Sequence, residues 1–200
     1  MKIIFQEHQF EFYKTPSSDE VVAKINELLK ESYYFSHFIA DGIGVYEDHE
    51  DYLNLNVDRI EKLEVIAKTE KEFLNDILLS AEDYLNRAKP ELASLPDGFY
   101  SNPSSEIRYN FSQLMEGLQW LNEMLAVIDK SIERPANWNQ CMALSQSMEA
   151  EILNLFEAVE NSDNILIADI IQYEFIPMFA SLETEIGKTI DTIGTRHDLS

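Results

Sequence analysis

Basic residues are scarce: 15 Lys and Arg stand against 37 Asp and Glu, for a formal net charge of −22. DNA, RNA and anionic membranes are polyanions that need clustered Lys and Arg, so this imbalance excludes them as partners and favours a basic protein instead. Cysteine is nearly absent. Cys141 has no internal disulfide partner and lies near Trp138, Met142 and Leu144 with no flanking cation, so it reads as a small buried hydrophobe in a reducing compartment. No uninterrupted apolar run approaches the ~20 residues of a membrane span, and Met1 to His8 lack the apolar core of a signal peptide. The expected location is the cytoplasm. Glycine numbers six, and the one Gly-x-Gly, Gly42 to Gly44, falls in a hairpin rather than a strand-to-helix turn. No phosphate loop, serine nucleophile elbow or Cys-x-x-Cys occurs. The reading is therefore non-enzymatic, with no cofactor expected.

What is present begins with a change of period. Lys2 to Phe5 and Gln9 to Lys14 are short apolar or alternating runs around the polar Gln6, Glu7 and His8, as a β-hairpin requires. Ser17 and Glu20 are spaced as a capping box before the stripe Val21, Val22, Ile25, Leu28 and Leu29. Tyr33 to Ala40 is aromatic and β-branched, and Asp41-Gly42 is a two-residue turn into Ile43 to Glu47, a second hairpin. Tyr33, Tyr34, Phe35 and Phe38, at strand spacing, read as core rather than a binding face. Asp48 to Asp58 reads as a polar loop with a helical turn, and Ile60, Leu63, Val65 and Ile66 as a closing strand.

This order over residues 1–68 resembles the β-grasp arrangement of ubiquitin-like domains, through the Thr15-Pro16-Ser17-Ser18-Asp19 helix entry, the Asp41-Gly42 turn and the closing strand near Leu63 to Ala67. The resemblance implies an interaction module. Because the sequence ends without Gly-Gly, it does not extend to covalent tagging.

Residues 69–200 read as an acidic, antiparallel four-helix bundle, making the whole chain α+β. Thr69 and Glu72 form another capping box, and Phe73, Ile77, Ala81, Tyr84 and Ala88 mark a helix that stops near Pro90 to Pro96. Asn102 and Pro103 read as an N-cap and first-position proline for the next. There Ile107, Phe111, Leu114, Leu118, Leu121, Leu125, Ile128 and Ile132 repeat at alternating spacings of four and three, the seam of a bundle helix. After Arg134-Pro135-Ala136-Asn137, the third helix carries Trp138, Cys141, Met148, Ile152, Leu155 and Val159, with Ser145 the one polar member. The last carries Ile165, Ala168, Phe175, Phe179, Leu182, Ile186 and Ile193, with a kink expected at Pro177.

Acidic bundles invite a di-iron or di-manganese reading, but no Glu sits three residues before any of His8, His37, His49 or His197. The cluster Glu47-Asp48-His49-Glu50-Asp51 lacks the ligand spacing and glycine of an EF-hand. Its Glu47, His49 and Asp51 are the candidate ligands of an alternative reading, a metal-binding protein or metal-dependent enzyme that also uses His37. A DNA mimic is a third.

The most informative charge feature is a gap. Between Arg134 and Lys188 there is no Lys or Arg, while acidic residues recur throughout, among them Glu149, Glu157, Glu160, Asp169 and Glu174. These five are the candidate partner-binding residues of an adaptor, or a chaperone-like holder, for a basic protein. A homodimer formed through this face would repel itself.

Overall fold

Asp41 and Gly42 turn the chain with φ of 49° and 88°, the paired positive values that let a two-residue turn follow the twist of its strands. They join β3 (Tyr33–Ala40) to β4 (Ile43–Val45). The Asp41 carboxylate also accepts the backbone N–H groups of Glu61 and Lys62, at 3.1 and 2.7 Å, which pins the start of β5 (Lys62–Thr69) beside the turn. The computed structural model describes residues 1–30 and 32–196, so His197 lies outside the described residues. It sets β1 (Lys2–Phe5) and β2 (His8–Glu11) with the other three strands in one sheet of order β2-β1-β5-β3-β4. β1 runs parallel to β5, and every other neighbouring pair is antiparallel.

The Ser17–Glu20 capping box starts α1 (Ser18–Leu29), which buries Val21, Ile25 and Leu29 in one core with Ile3, Phe5, Phe38, Leu63 and Val65. The result is a β-grasp-like, mixed five-stranded unit. The stretch expected to be a loop with one helical turn forms α2 (His49–Asn56), whose Leu53 joins that core. Ile60 is buried but precedes β5.

The chain divides into two units, Met1–Phe73 and the remainder. The first takes in the opening turn of α3 (Glu70–Tyr100), where Phe73 stacks on Tyr34 with ring centroids 4.1 Å apart. Thr69 and Glu72 cap this helix reciprocally. The Thr69 backbone N–H and then its hydroxyl hold the Glu72 carboxyl below the usual carboxylate range.

In contrast to the expected stop near Pro90 to Pro96, α3 continues through both prolines. Each removes one backbone donor, yet Leu92, Leu95, Pro96 and Phe99 are all buried, and packing of such a face is the larger part of helix stability. Leu74, Leu78, Ala81 and Leu85 form the buried stripe, while Phe73, Ile77, Tyr84 and Ala88 flank it half-buried.

Asn102 takes a φ of 63°, so it is Ser104, not Asn102, that caps α4 (Ser105–Asp129) by accepting the Ile107 N–H. Leu114, Leu118, Leu121, Leu125 and Ile128 are buried. Ile132 falls beyond the helix end and is 94% exposed. α5 (Trp138–Glu160) follows, then α6 (Asn164–Ile170), a π-helical turn (Ile171–Phe175) and α7 (Ile176–Ile193). This π-helical turn lies just before Pro177, where a kink is expected, and the Ile176 N–H reaches back five residues to the Ile171 carbonyl. The run Asn164–Ile193 is long enough to cross a membrane and holds an 18-residue stretch apolar enough to do so, with mean hydropathy 1.5, but 44% of that stretch is buried in the protein. Its Ile167, Ile171, Phe175, Phe179, Leu182 and Ile186 supply bundle core.

Contacts between helices show their directions. Phe99 meets Phe111 at 5.3 Å between rings, Ser145 donates to Asn122 at 3.0 Å, and Asn137 donates to Thr189 at 2.8 Å. Asn75 exchanges two hydrogen bonds with Thr195. Neighbouring helices are therefore antiparallel, and the end of α3, the start of α4, the end of α5 and the start of α6 share one end of the bundle.

Candidate functional site

Helix α5 has apolar residues in adjacent pairs, Ile152-Leu153, Leu155-Phe156 and Ala158-Val159, a stripe wider than one core face can cover. Leu155 and Ala158 go inside. Leu153, Phe156 and Val159 are left on the surface, as are Ile165 and Leu166 of α6 and Tyr173 of the π-helical turn, with exposures from 42% to 69%. Tyr100 and Tyr109 add exposed rings at the same end. Val159 and Ile165, expected in the core, are thus surface residues. The signal was the doubled stripe: period alone does not say which of two adjacent apolar residues finds a neighbour.

On α5, carboxylates stand one helical turn from the exposed apolar residues: Glu149 and Glu157 are four positions from Leu153, and Glu160 four from Phe156. Glu149, Glu157 and Glu160 on α5 and Glu174 on the π-helical turn are exposed, and among the described residues none of the four pairs with a cation. Asp169, the fifth candidate, is half-buried and accepts the Tyr100 hydroxyl. That hydrogen bond, with some burial and the Asp169 charge, pushes the Tyr100 phenol up to about 12. Other acids of the cation-free stretch are engaged elsewhere: Glu183 with Lys89 at 2.5 Å and Glu185 with Lys188 at 2.7 Å. The uncompensated charge is thereby concentrated toward the end that carries the exposed apolar residues. Arg108 is the single cation between residues 95 and 112. The connection Asn161 to Asp163 is held by Ser162 at φ 55° and by Asp163, whose side chain accepts the Leu166 N–H at 3.0 Å. Such a surface offers apolar contact area inside a field of one sign.

The candidate metal ligands are partly brought together. His49 and Asp51 both line a cavity of about 460 Å³ in the first unit, whereas Glu47 is exposed. His49 packs edge-on to Phe35 and Phe38, with ring centroids at 5.0 and 5.5 Å. His37 lies instead against Tyr46 at 4.4 Å and shares a hydrogen bond with Ser36. Among the described residues, no three His, Cys, Asp or Glu converge as a metal ion requires.

Cys141 is fully buried. Burial first, and the nearby Glu185 charge second, push its thiol up to about 12, the opposite of what a nucleophilic or redox-active cysteine needs.

Residues 76–185 match the family described as a domain of unknown function, DUF8042, a span within the helical unit and more than half of the chain. The chain belongs to that family. No curated protein and no solved structure matches it.

Proposed function

We propose that this member of the DUF8042 family is a non-enzymatic cytoplasmic interaction protein whose bundle end takes up a basic, amphipathic segment of another protein, as an adaptor or chaperone-like holder does. The observation that carries this reading is the coincidence of exposed Leu153, Phe156, Ile165 and Tyr173 with the exposed carboxylates of Glu149, Glu157, Glu160 and Glu174, which pair with no cation among the described residues. Apolar area removed from water contributes roughly 25 cal/mol per Å² before the costs of ordering and association. The carboxylates select a partner of opposite sign and speed its encounter. A second copy of this chain would bring the same charges against each other, so the occupant is a different protein.

The test is capture of partners by the full-length protein at low and high salt, beside the double variant Leu153→Ser/Phe156→Ser. Both positions are exposed, so the variant keeps its fold. A partner that is basic, salt-sensitive and lost on the variant supports the proposal. Partners retained equally by the variant, or indifferent to salt, would refute it.

A further inference from the structure

Helix α5 carries two seams. Cys141, Ser145, Met148 and Leu155, with half-buried Ile152 among them, form the inner one, which advances by four, three, four and three residues and belongs to the bundle core. The outer one runs one residue further on, through Glu149, Leu153, Phe156 and Glu160, at spacings of four, three and four. All four are exposed. One residue is about 100° around a helix, so the pairing of the seams is the pattern of a helix with neighbours in two directions. Among the described residues, only the inner seam is covered.

The outer seam is apolar at its centre and acidic at both ends, over roughly 17 Å of helix axis. Its charge goes unanswered within the chain: among the described residues neither Glu149 nor Glu160 pairs with a cation, and no Lys or Arg occurs between Arg134 and Lys188. Nor do the carboxylates serve α5. Glu157 and Glu160 stand in its last turn, which has no basic residue, and negative charge there opposes the helix dipole. The middle of α5 also has no free backbone groups, since its N–H and C=O groups bond along the helix. An extended segment laid on Leu153 and Phe156 would bury main-chain groups without partners, whereas a helix satisfies its own.

We infer that the outer seam of α5 takes up an α-helix of about three turns, in which two apolar residues are bracketed by two basic ones at the same spacing of four, three and four. The basic residues fall opposite Glu149 and Glu160, and the apolar ones opposite Leu153 and Phe156. Helices that share this heptad spacing stay in register along their contact. The spacing reads alike in both directions, so a parallel and an antiparallel partner both fit. The inference rests on the bundle-end reading and gives the conformation and pattern of the partner.

The experiment titrates the full-length protein with three peptides of Leu and Lys in an Ala and Gln background. One has the Lys, Leu, Leu, Lys pattern at spacings of four, three and four. The second has the same composition with Leu and Lys alternating at strand period, and the third is the first with a proline between the two Leu. Calorimetry gives affinity, and the Cα chemical shifts of carbon-13-labelled peptide report its bound conformation. The first peptide should bind saturably with helical shifts. The other two should bind roughly tenfold or more weakly, because proline in a helix interior is strongly unfavourable. The variant Glu149→Gln/Glu160→Gln should bind the first peptide about fivefold more weakly, the worth of two exposed ion pairs. Its own thermal midpoint should not fall, as it would if these carboxylates stabilised α5. Equal binding of the proline peptide, extended shifts in the bound peptide, or unchanged affinity of that variant would overturn the inference. So would self-association of the protein alone that Leu153→Ser/Phe156→Ser abolishes, since it would assign the seam to a second copy. If the alternating peptide binds most tightly, and Leu153→Ser/Phe156→Ser loses that binding, the inference fails while the bundle-end reading stands. If no peptide binds, both fail.

Discussion

The Tyr84 hydroxyl occupies the space above Gly117 that the Cβ of any other residue would fill. Gly117 is buried on α4 and Tyr84 half-buried on α3, so the pair sets how closely these two helices approach. Burial raises the Tyr84 phenol above its ordinary value.

Gly117→Ala should destabilise the protein by roughly 1–3 kcal/mol, the usual cost of overpacking. Chemical denaturation measures it. In a Tyr84→Leu background the same change should cost much less, and an equal cost in both backgrounds would show that the contact is not the cause.

Asn137 ties the start of α5 to the end of α7. Its amide donates to Thr189 Oγ1 at 2.8 Å, and the buried Thr189 hydroxyl has the Glu185 carbonyl as a further acceptor at 2.8 Å. Asn137→Ala should therefore cost about 1 kcal/mol rather than the full penalty of an orphaned group. A drop in thermal midpoint with unchanged far-UV spectrum is the expected result.

The Cys141 thiol should resist alkylation at mildly alkaline pH until the protein unfolds, so its labelling rate should follow denaturant concentration. Because its folded value is raised, from 9.0 to about 12, its contribution to stability is fully present below 9 and is lost as pH rises toward 12. Rapid labelling of the native protein would contradict this burial.

A formal net charge of −22 makes the folded chain repel itself. Sodium chloride should raise the thermal midpoint by screening that repulsion. A midpoint that falls with salt would mean that ion pairs such as Arg196 with Glu82 dominate instead.

Local signals were readable where the interacting residues are neighbours in sequence. The Ser17–Glu20 and Thr69–Glu72 boxes and the Asp41-Gly42 turn each depend on two to four residues, and Leu114 to Ile128 kept its seam because one period runs without interruption. The end of α3 was not readable, because Pro90 and Pro96 signal a stop whose cost is offset by the burial of Leu92, Leu95 and Phe99. Nor was the clamp between Asn137 and Thr189, separated by 52 positions. The acidic half of the bundle-end surface was visible as a cation gap. Its apolar half was not, since exposure of Leu153 and Phe156 depends on which helices lie beside α5. The first-unit cavity likewise joins α1, α2 and β3, and only its acidic rim stands out along the chain.

The most direct test of the bundle-end reading is fluorescence anisotropy of a labelled amphipathic peptide of Leu and Lys titrated with the full-length protein. A peptide of the same pattern with Glu in place of Lys serves as control. The reading predicts saturable, salt-sensitive binding of the Lys peptide, no binding of the Glu peptide, and loss of binding in Leu153→Ser/Phe156→Ser. Binding of both peptides alike, or undiminished binding by that variant, would contradict it.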